Sequence, residues 1–166
     1  MISFVRVDNR LIHGQVIEAW LPYLKVGRIL VADDDAARNP LTRAAMGLAV
    51  PARVQVDVRP LQGTDFAALE GGGEPTLLLL REVSGALYAR RHGLVCPTLN
   101  LGNVHFAPGR AQVTPSVFLS PEELGQLEQL AGEGVAVELR AVPKERPLAL
   151  GEILSRTGGA PGGRGA

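Results

Sequence analysis

The chain has 166 residues, of which 46% are apolar, and this length favours one domain with a substantial core over two. Lysine plus arginine number 17, as do aspartate plus glutamate, so the composition excludes a generally basic surface for nucleic acid or anionic membranes. No apolar run reaches the roughly 18 residues needed to span a bilayer, and "MISFVRVDNR" lacks a secretory leader pattern, so we expect a cytoplasmic protein.

Apolar, β-branched runs recur along the chain and alternate with segments of helical spacing. In the first such segment Val16, Trp20 and Leu21 share one face. In "SPEELGQLEQL", Ser120 and Glu123 predict a capping box, and Asn39 followed by Pro40 predicts another helix start. The predicted strands are residues 2–7, 28–33, 53–58, 76–80, 98–101, 116–119 and 135–142, and further helices are predicted near residues 65–69, 83–91 and 148–154.

This alternation predicts an α/β fold, a three-layer α/β/α sandwich around a central, mainly parallel sheet of about six or seven strands. Residues 135–142 mix charged residues into the pattern, which predicts an edge strand of either direction. We expect one domain over residues 1–156. The glycine- and alanine-rich residues 157–166 are expected to form a disordered tail.

In an open parallel sheet, ligands bind beyond the carboxyl ends of the strands, so a functional site is expected in the strand-to-helix loops. The loop after the first strand carries His13, just before a predicted helix whose free amides favour anions. Arg10 offers a planar fork of donors to phosphate oxygens, and Asp8 could orient the imidazole. Neutral imidazole is a competent nucleophile near neutral pH, so the pattern suits a histidine that receives and passes on a phosphoryl group.

Plainer interpretations remain open from the residues alone. His13 could be a polar loop residue or a helix cap, and Arg10 and Asp8 could form a surface ion pair. The loop has neither the glycine spacing nor the Lys-Ser/Thr of a nucleotide-binding loop, so no nucleotide cofactor is indicated. We expect no cofactor and no metal, and the single cysteine, Cys96, is expected in or near the core.

The segment "RVDNRLIHGQVIEAW" resembles the amino-terminal signature of the IIB component of mannose/fructose/sorbose-family phosphotransferase systems. The resemblance continues through "RILVADDDAARNP", "LNLGNVHFAPGR" and "AVELRAVPKERPL" and covers roughly residues 1–155. It implies a phosphocarrier with phosphotransferase activity. The motif histidine of such a domain takes a phosphoryl group from a phosphohistidine of the IIA component and passes it to a sugar held by the membrane components IIC and IID.

The resemblance assigns roles to individual positions of this chain. His13 becomes the phosphorylated nucleophile, Arg10 stabilises the phosphoryl group, and Gly14 and Gln15 begin the helix whose amides face it. A second loop, "NLGNVH", follows a predicted strand and is expected at the same edge of the sheet. Its candidate phosphoryl-binding residues are Asn100, Gly102 and Asn103, with a turn-stabilising role as the alternative, although the family usually has glycine where Asn103 stands.

Other polar residues have structural explanations that compete with functional ones. Asp33, Asp34 and Asp35 could bind a metal, but an acidic cluster before a helix more often caps it. His105 could line the same edge as His13, whereas His92 suits a helix end. Trp20 is expected in the core.

Three functional classes follow. The first is a transport subunit that works with phosphorylated IIA, IIC, IID and a sugar, recruited to the inner face of the membrane by these partners. The second is a regulatory phosphocarrier that is phosphorylated at His13 and serves no cognate sugar transporter. The third is a small-ligand binding module. No nucleic acid partner is expected, a homo-oligomer is compatible with the sequence, and the sugar is not revealed by it.

Overall fold

The computed structural model describes residues 1–158 of the chain. The central sheet and a small hairpin are built from nine strands: β1 (Ile2–Asp8), β2 (Arg28–Ala32), β3 (Gln55–Arg59), β4 (Thr76–Leu80), β5 (Thr98–Asn103), β6 (Ala111–Thr114), β7 (Val117–Leu119), β8 (Ala136–Leu139) and β9 (Leu148–Ala149). The helices are α1 (Leu21–Leu24), α2 (Asp34–Arg38), α3 (Pro40–Ala49), α4 (Val83–Arg91), α5 (Pro121–Gly132) and α6 (Leu150–Arg156), with a π turn at Val16–Trp20 and a 3₁₀ turn at Ala67–Glu70.

The central sheet has seven strands in the order β3-β2-β4-β1-β5-β8-β9. The first six pair in parallel, and β9 pairs antiparallel with β8. The α/β prediction of a mainly parallel, three-layer sandwich is therefore confirmed. Of the predicted tail at residues 157–166, residues 159–166 lie outside the part that the structure describes.

Two hydrophobic layers cover the sheet, one on each face. Strand β4 supplies both, because Leu78 and Leu80 pack with α4 and α5, whereas Leu77 and Leu79 pack on the opposite face with the first helical segment. All four leucines are fully buried, and each contributes about 2 kcal/mol of hydrophobic stabilisation. An unbroken apolar strand is what burial on both faces requires.

The helix starts confirm the capping predictions. The hydroxyl of Ser120 accepts a hydrogen bond from the backbone N–H of Glu123, and the Glu123 carboxylate accepts one from the backbone N–H of Ser120. Asn39 caps α3 by accepting from the N–H of Thr42, 3.1 Å away, with Pro40 as the first helical residue. These side chains satisfy amides that a helix leaves without acceptors.

Two sequence predictions need correction, and one short helix was not predicted. Residues 117–119 form a strand, but β7 pairs with β6 in a separate antiparallel hairpin, outside the central sheet. The edge-strand prediction for residues 135–142 is wrong, because β8 ends at Leu139 and the two-residue β9 covers its outer side. The segment after β2 contains the short helix α2, which begins where Asp33 accepts from the N–H of Ala36. Elements this short show too few periods to be recognised in a sequence.

The strand order leaves a crevice between the carboxyl ends of β1 and β5. The chain leaves β1 toward β2 on one side and leaves β5 toward β8 on the other. Neighbouring strands whose connections diverge in this way form the position where open α/β sheets bind ligands. The loops that carry His13 and Asn103 follow these two strands. Across residues 1–158, no helix is both long and apolar enough to cross a membrane.

Candidate functional site

Two charged residues lie inside strand β1, on the face that the first helical segment covers. Arg6 and Asp8 alternate with Val5 and Val7, which belong to the hydrophobic layer on the other face. Neither charged side chain is exposed, and the Arg6 guanidinium lies 4.9 Å from the ring centroid of Trp20. Buried charges are tolerated when they are paired and fully hydrogen-bonded, so their partners define the site.

Every N–H of the Arg6 guanidinium has an acceptor. Its Nε donates to Asp8, and Nη2 also lies 3.1 Å from the same carboxylate oxygen. The other acceptors come from the first helical segment, from β5 and from the chain just after β8. They are Gln15 Oε1 (2.7 Å) and the Ala141 carbonyl (3.1 Å) for Nη2, and Asn100 Oδ1 (2.7 Å) and the Arg140 carbonyl (3.2 Å) for Nη1.

The Asp8 carboxylate joins this arginine to the histidine loop. Its Oδ2 accepts from His13 Nε2 at 2.7 Å and from Asn103 Nδ2 at 3.0 Å, and its Oδ1 accepts from the backbone N–H of Arg10 at 2.9 Å. Burial raises the pKa of Asp8, but the hydrogen bond from His13 and the charge of Arg6 outweigh burial and hold that pKa below its ordinary value. An ionised carboxylate only accepts, so the hydrogen in the Asp8–His13 contact belongs to Nε2.

The His13 ring is consequently held by one nitrogen and free at the other. Nδ1 has no hydrogen-bond partner among residues 1–158 and is buried, and the residue as a whole is 9% exposed. The loop folds inward because Asp8 binds it at two points and because Leu11, at φ 56°, turns its buried side chain into the core. A leucine in the left-handed region is strained, as residues at functional sites often are.

The helix after His13 begins as the sequence predicts, with residues 14 and 15 in helical conformation. Its first regular hydrogen bond joins the N–H of Ile17 to the His13 carbonyl at 3.1 Å, so the amides of Gly14, Gln15 and Val16 precede any helical acceptor. A π turn, Val16–Trp20, follows at once. Such turns occur mostly as single interruptions and are frequent at functional sites.

Arg10 differs from Arg6 in every respect that matters for ligand binding. Arg10 is exposed, and its guanidinium makes no hydrogen bond or ion pair with any of residues 1–158. It lies in the same loop as His13, three residues earlier, and is therefore the free cation of this loop.

A family model described as "PTS system sorbose subfamily IIB component" matches residues 2–160. The chain belongs to this family. The resemblance read from "RVDNRLIHGQVIEAW" is thereby confirmed over nearly the whole chain, and the protein is a IIB component of the phosphotransferase system.

Individual relatives align with this chain over nearly their whole lengths. The sorbose-specific EIIB component of Klebsiella pneumoniae is 28% identical over 158 residues, which cover 94% of this chain and 96% of the relative. The fructose-specific EIIB component of Bacillus subtilis is 27% identical over 155 residues, covering 92% and 95%. The crystal structure of the IIBSor domain of the Klebsiella pneumoniae sorbose permease superposes with a TM-score of 0.85 at 28% identity and covers 95% of this chain and 98% of that one.

In this IIB component the predicted residues of β5 lie next to the predicted residues of β1. Asn103 donates to Asp8 and also to Gln15 Oε1, at 3.0 Å each. Asn100 is fully buried, accepts from Arg6 and donates to the Arg140 carbonyl and to Glu138. Gly102 lies against the Arg6 guanidinium, where a Cβ would overlap it. The structure thus brings together six of the predicted residues with His13, namely Asp8, Gly14, Gln15, Asn100, Gly102 and Asn103.

Two arginines that support the site were missed from the sequence. Arg6 stands in a strand that is otherwise buried, and a charged residue two positions before Asp8 on the same face was the available signal. Arg81 follows β4 and forms a two-point ion pair with Asp33, at 3.0 and 2.8 Å, while its Nη1 donates to the Asn9 carbonyl. Arg81 therefore anchors the histidine loop from the neighbouring strand.

The remaining candidates lie outside this cluster. The Asp33 carboxylate caps α2 and pairs with Arg81, Asp34 accepts from the N–H of Gln62, and Asp35 pairs with Arg38. Across residues 1–158 no group of three or more histidine, cysteine or acidic side chains has the geometry of a metal site. His92 bonds the Tyr88 carbonyl at the end of α4, and His105 is exposed, with its carbonyl accepting from Arg110.

Proposed function

We propose that this IIB component is a phosphocarrier that takes a phosphoryl group from a phosphohistidine of the IIA component onto His13 and passes it to a sugar held by the IIC and IID components. The observation that carries the proposal is the contact between His13 and Asp8 at the carboxyl ends of β1 and β5. It leaves one imidazole nitrogen with an unused lone pair, in the same loop as an arginine whose guanidinium is uncommitted, and phosphoryl acceptance needs both groups.

The accepting atom in this proposal is Nδ1 of His13. Nε2 carries a hydrogen that is committed to Asp8, whereas Nδ1 has no partner among the described residues. Phosphorylation at Nδ1 draws electrons from the ring, and a carboxylate held at Nε2–H compensates the charge that develops. In this proposal Asp8 orients the imidazole through its Oδ2 atom.

Each transfer conserves the phosphoryl group and the electron pairs. In the first step the Nδ1 lone pair bonds phosphorus while the P–N bond to the IIA histidine breaks, and that electron pair returns to the IIA ring. In the second step a sugar hydroxyl oxygen bonds phosphorus, the hydroxyl proton passes to a base of the membrane component, and the P–Nδ1 pair returns to His13. The protein contributes in-line positioning and charge compensation on the equatorial oxygens.

Arg10 and the first helical amides supply that compensation. The Arg10 guanidinium is uncommitted, and the amides of Gly14 and Gln15 precede the first helical hydrogen bond. Asn100, Gly102 and Asn103 support the site from β5 by holding Asp8, Gln15 and Arg6. Because Nδ1 is buried, the side chains that cover it have to move aside when IIA docks, while Nε2 stays bonded to Asp8.

The test is transfer of label from phosphoenolpyruvate through the general phosphotransferase proteins and a IIA component. We expect acid-labile label on the wild-type protein and none on His13→Gln. The chain offers two matched controls, because His92→Gln and His105→Gln change its other histidines and should label as wild type does. An unlabelled wild type, with a IIA that labels another IIB component, would refute the proposal and favour a binding module without covalent chemistry.

A chase experiment separates transport from regulation. Labelled protein is mixed with membranes that contain IIC and IID and with candidate sugars, beginning with sorbose and fructose, which occur in the names of the relatives. Transfer of label to a sugar supports the transport subunit, a cytoplasmic protein recruited to the inner face of the membrane. Stable label with every sugar and membrane preparation supports the alternative, a regulatory phosphocarrier without a cognate transporter.

A further inference from the structure

We propose that Arg6 is a positioning residue for the phosphoryl acceptor: it fixes the Asp8 carboxylate in the orientation that takes the Nε2 hydrogen of His13 and so keeps Nδ1 unprotonated. The inference rests on the proposed function and adds to it a residue that never touches the phosphoryl group.

Arg6 cannot be a phosphate ligand in this structure. A guanidinium has five N–H donors, and each of those of Arg6 has a protein acceptor between 2.7 and 3.2 Å. The side chain is also fully buried. Arg10, by contrast, has its guanidinium free, so the two arginines of this motif have separate tasks.

The Asp8 carboxylate is held in one orientation. Its Oδ2 faces Arg6, His13 and Asn103 at once, and its Oδ1 faces the backbone N–H of Arg10. A carboxylate could rotate about its Cβ–Cγ bond, but the guanidinium approaches Oδ2 through both Nε and Nη2. Two converging donors with fixed geometry specify an orientation that a single point charge does not.

The Arg6 guanidinium is itself fixed by its surroundings. Its acceptors come from the helical segment after His13, from β5 and from the chain after β8, and Trp20 covers one face at 4.9 Å. Gly102 leaves room for it, since a Cβ at that position would overlap the guanidinium. Three separate parts of the fold therefore fix Arg6, which fixes Asp8, and Asp8 in turn fixes the position of the His13 ring.

The experiment compares Arg6→Met and Arg6→Lys with the matched control Arg28→Met. Arg28 is a partly buried arginine at the start of β2 that pairs with Asp57 at 3.3 Å and makes no hydrogen bond to Asp8, His13 or Arg6. Nitrogen-15 NMR of the unphosphorylated proteins at about pH 7.5, above the usual imidazole pKa of about 6.5, reports the His13 tautomer. Initial rates of labelling against the concentration of phospho-IIA separate kcat from KM.

We expect wild type and Arg28→Met to show the Nε2–H tautomer and equal rates. In Arg6→Met the two tautomers should mix, and kcat should fall by about ten- to hundredfold with KM within twofold, because the acceptor is misplaced while the docking surface is unchanged. Arg6→Lys should lie between. A folded Arg6→Met with the wild-type tautomer and kcat would overturn the inference.

The design remains decisive if Arg6→Met does not fold. Trp20 is the only tryptophan of the chain and reports the folded state of each variant by fluorescence. Arg6→Lys then decides alone, and a wild-type tautomer with kcat within twofold of wild type overturns the inference. If no phospho-IIA labels the wild-type protein, the proposed function fails, whereas the tautomer comparison still tests the role of Arg6.

Discussion

Gly102 of β5 faces the guanidinium of Arg6 so closely that a side chain at position 102 would occupy the same space. The arginine has no exposed surface and all five of its donors are used, so it cannot retreat without breaking hydrogen bonds. A glycine whose backbone conformation is ordinary is thus required here for its missing Cβ. This relationship links the second candidate loop to the first through a buried cation.

Gly102→Ala should destabilise the protein by about 3 kcal/mol, the cost of overpacking a rigid site, which lowers the Tm by roughly 9 °C in a domain of this size. The measurement is thermal unfolding followed by circular dichroism. Gly125→Ala is the matched control, because Gly125 lies within α5 with open space around it, and alanine there should stabilise by about 0.5–1 kcal/mol. Equal stability of Gly102→Ala and wild type would contradict the packing described.

Acid stability should depend on Asp8. Its pKa is below the ordinary value in the folded protein, so its ionised form stabilises the fold above about pH 4, and that stabilisation is lost as pH falls through the folded pKa. Asp8→Asn leaves Arg6 buried without its anion and should cost about 3 kcal/mol at neutral pH. The free energy of unfolding of Asp8→Asn should then fall less steeply than that of wild type below pH 4.

Urea unfolding at a series of pH values provides the comparison. Asp35→Asn serves as a control, because Asp35 is exposed and makes only a surface ion pair with Arg38. Its curve should parallel that of wild type. An Asp8→Asn curve that also parallels wild type would show that the Asp8 charge does not stabilise this fold.

Cys96 should be unreactive in the native protein. Burial raises the pKa of its thiol to about 11, against an ordinary 9.0, with Arg90 opposing the change only weakly. The thiolate is the reactive species, and the sulfur is also shielded, with its S–H donating to the Thr98 carbonyl. A thiol-specific chromogenic disulfide at about pH 8 should react slowly with native protein and rapidly in denaturant. Rapid reaction of the native protein would contradict the burial of this residue.

Much of the fold could be predicted from local sequence patterns. The apolar run "TLLLL" predicts β4, and Ser120, Pro121 and Glu123 predict the start of α5, because both signals are complete within a few neighbouring residues. Strand β9 and helix α2 could not be predicted, because β9 has two residues and α2 has five, too few to show a periodicity. Their positions depend on pairing with β8 and on the Asp33 cap, which are properties of the assembled sheet.

The candidate site also has residues that could be predicted from the sequence and residues that could not. His13, Asp8 and Arg10 stand close together in one motif, and the motif resembles that of a known family, so they could be predicted together. Arg6 could not be assigned, because its partners lie up to 135 residues away and meet only in the folded crevice. The burial of His13 was also unpredictable, since it depends on the turn at Leu11 and on two bonds to Asp8.

In the proposed mechanism Nδ1 of His13 carries the phosphoryl group while Nε2 stays hydrogen-bonded to Asp8. The most direct measurement is nitrogen-15 and phosphorus-31 NMR of the protein after phosphorylation through IIA, with the three histidines distinguished by His→Gln variants. The account predicts phosphorus bonded to Nδ1 of His13 and a hydrogen on Nε2. Phosphorus on Nε2 of His13, or on His92 or His105, would contradict it.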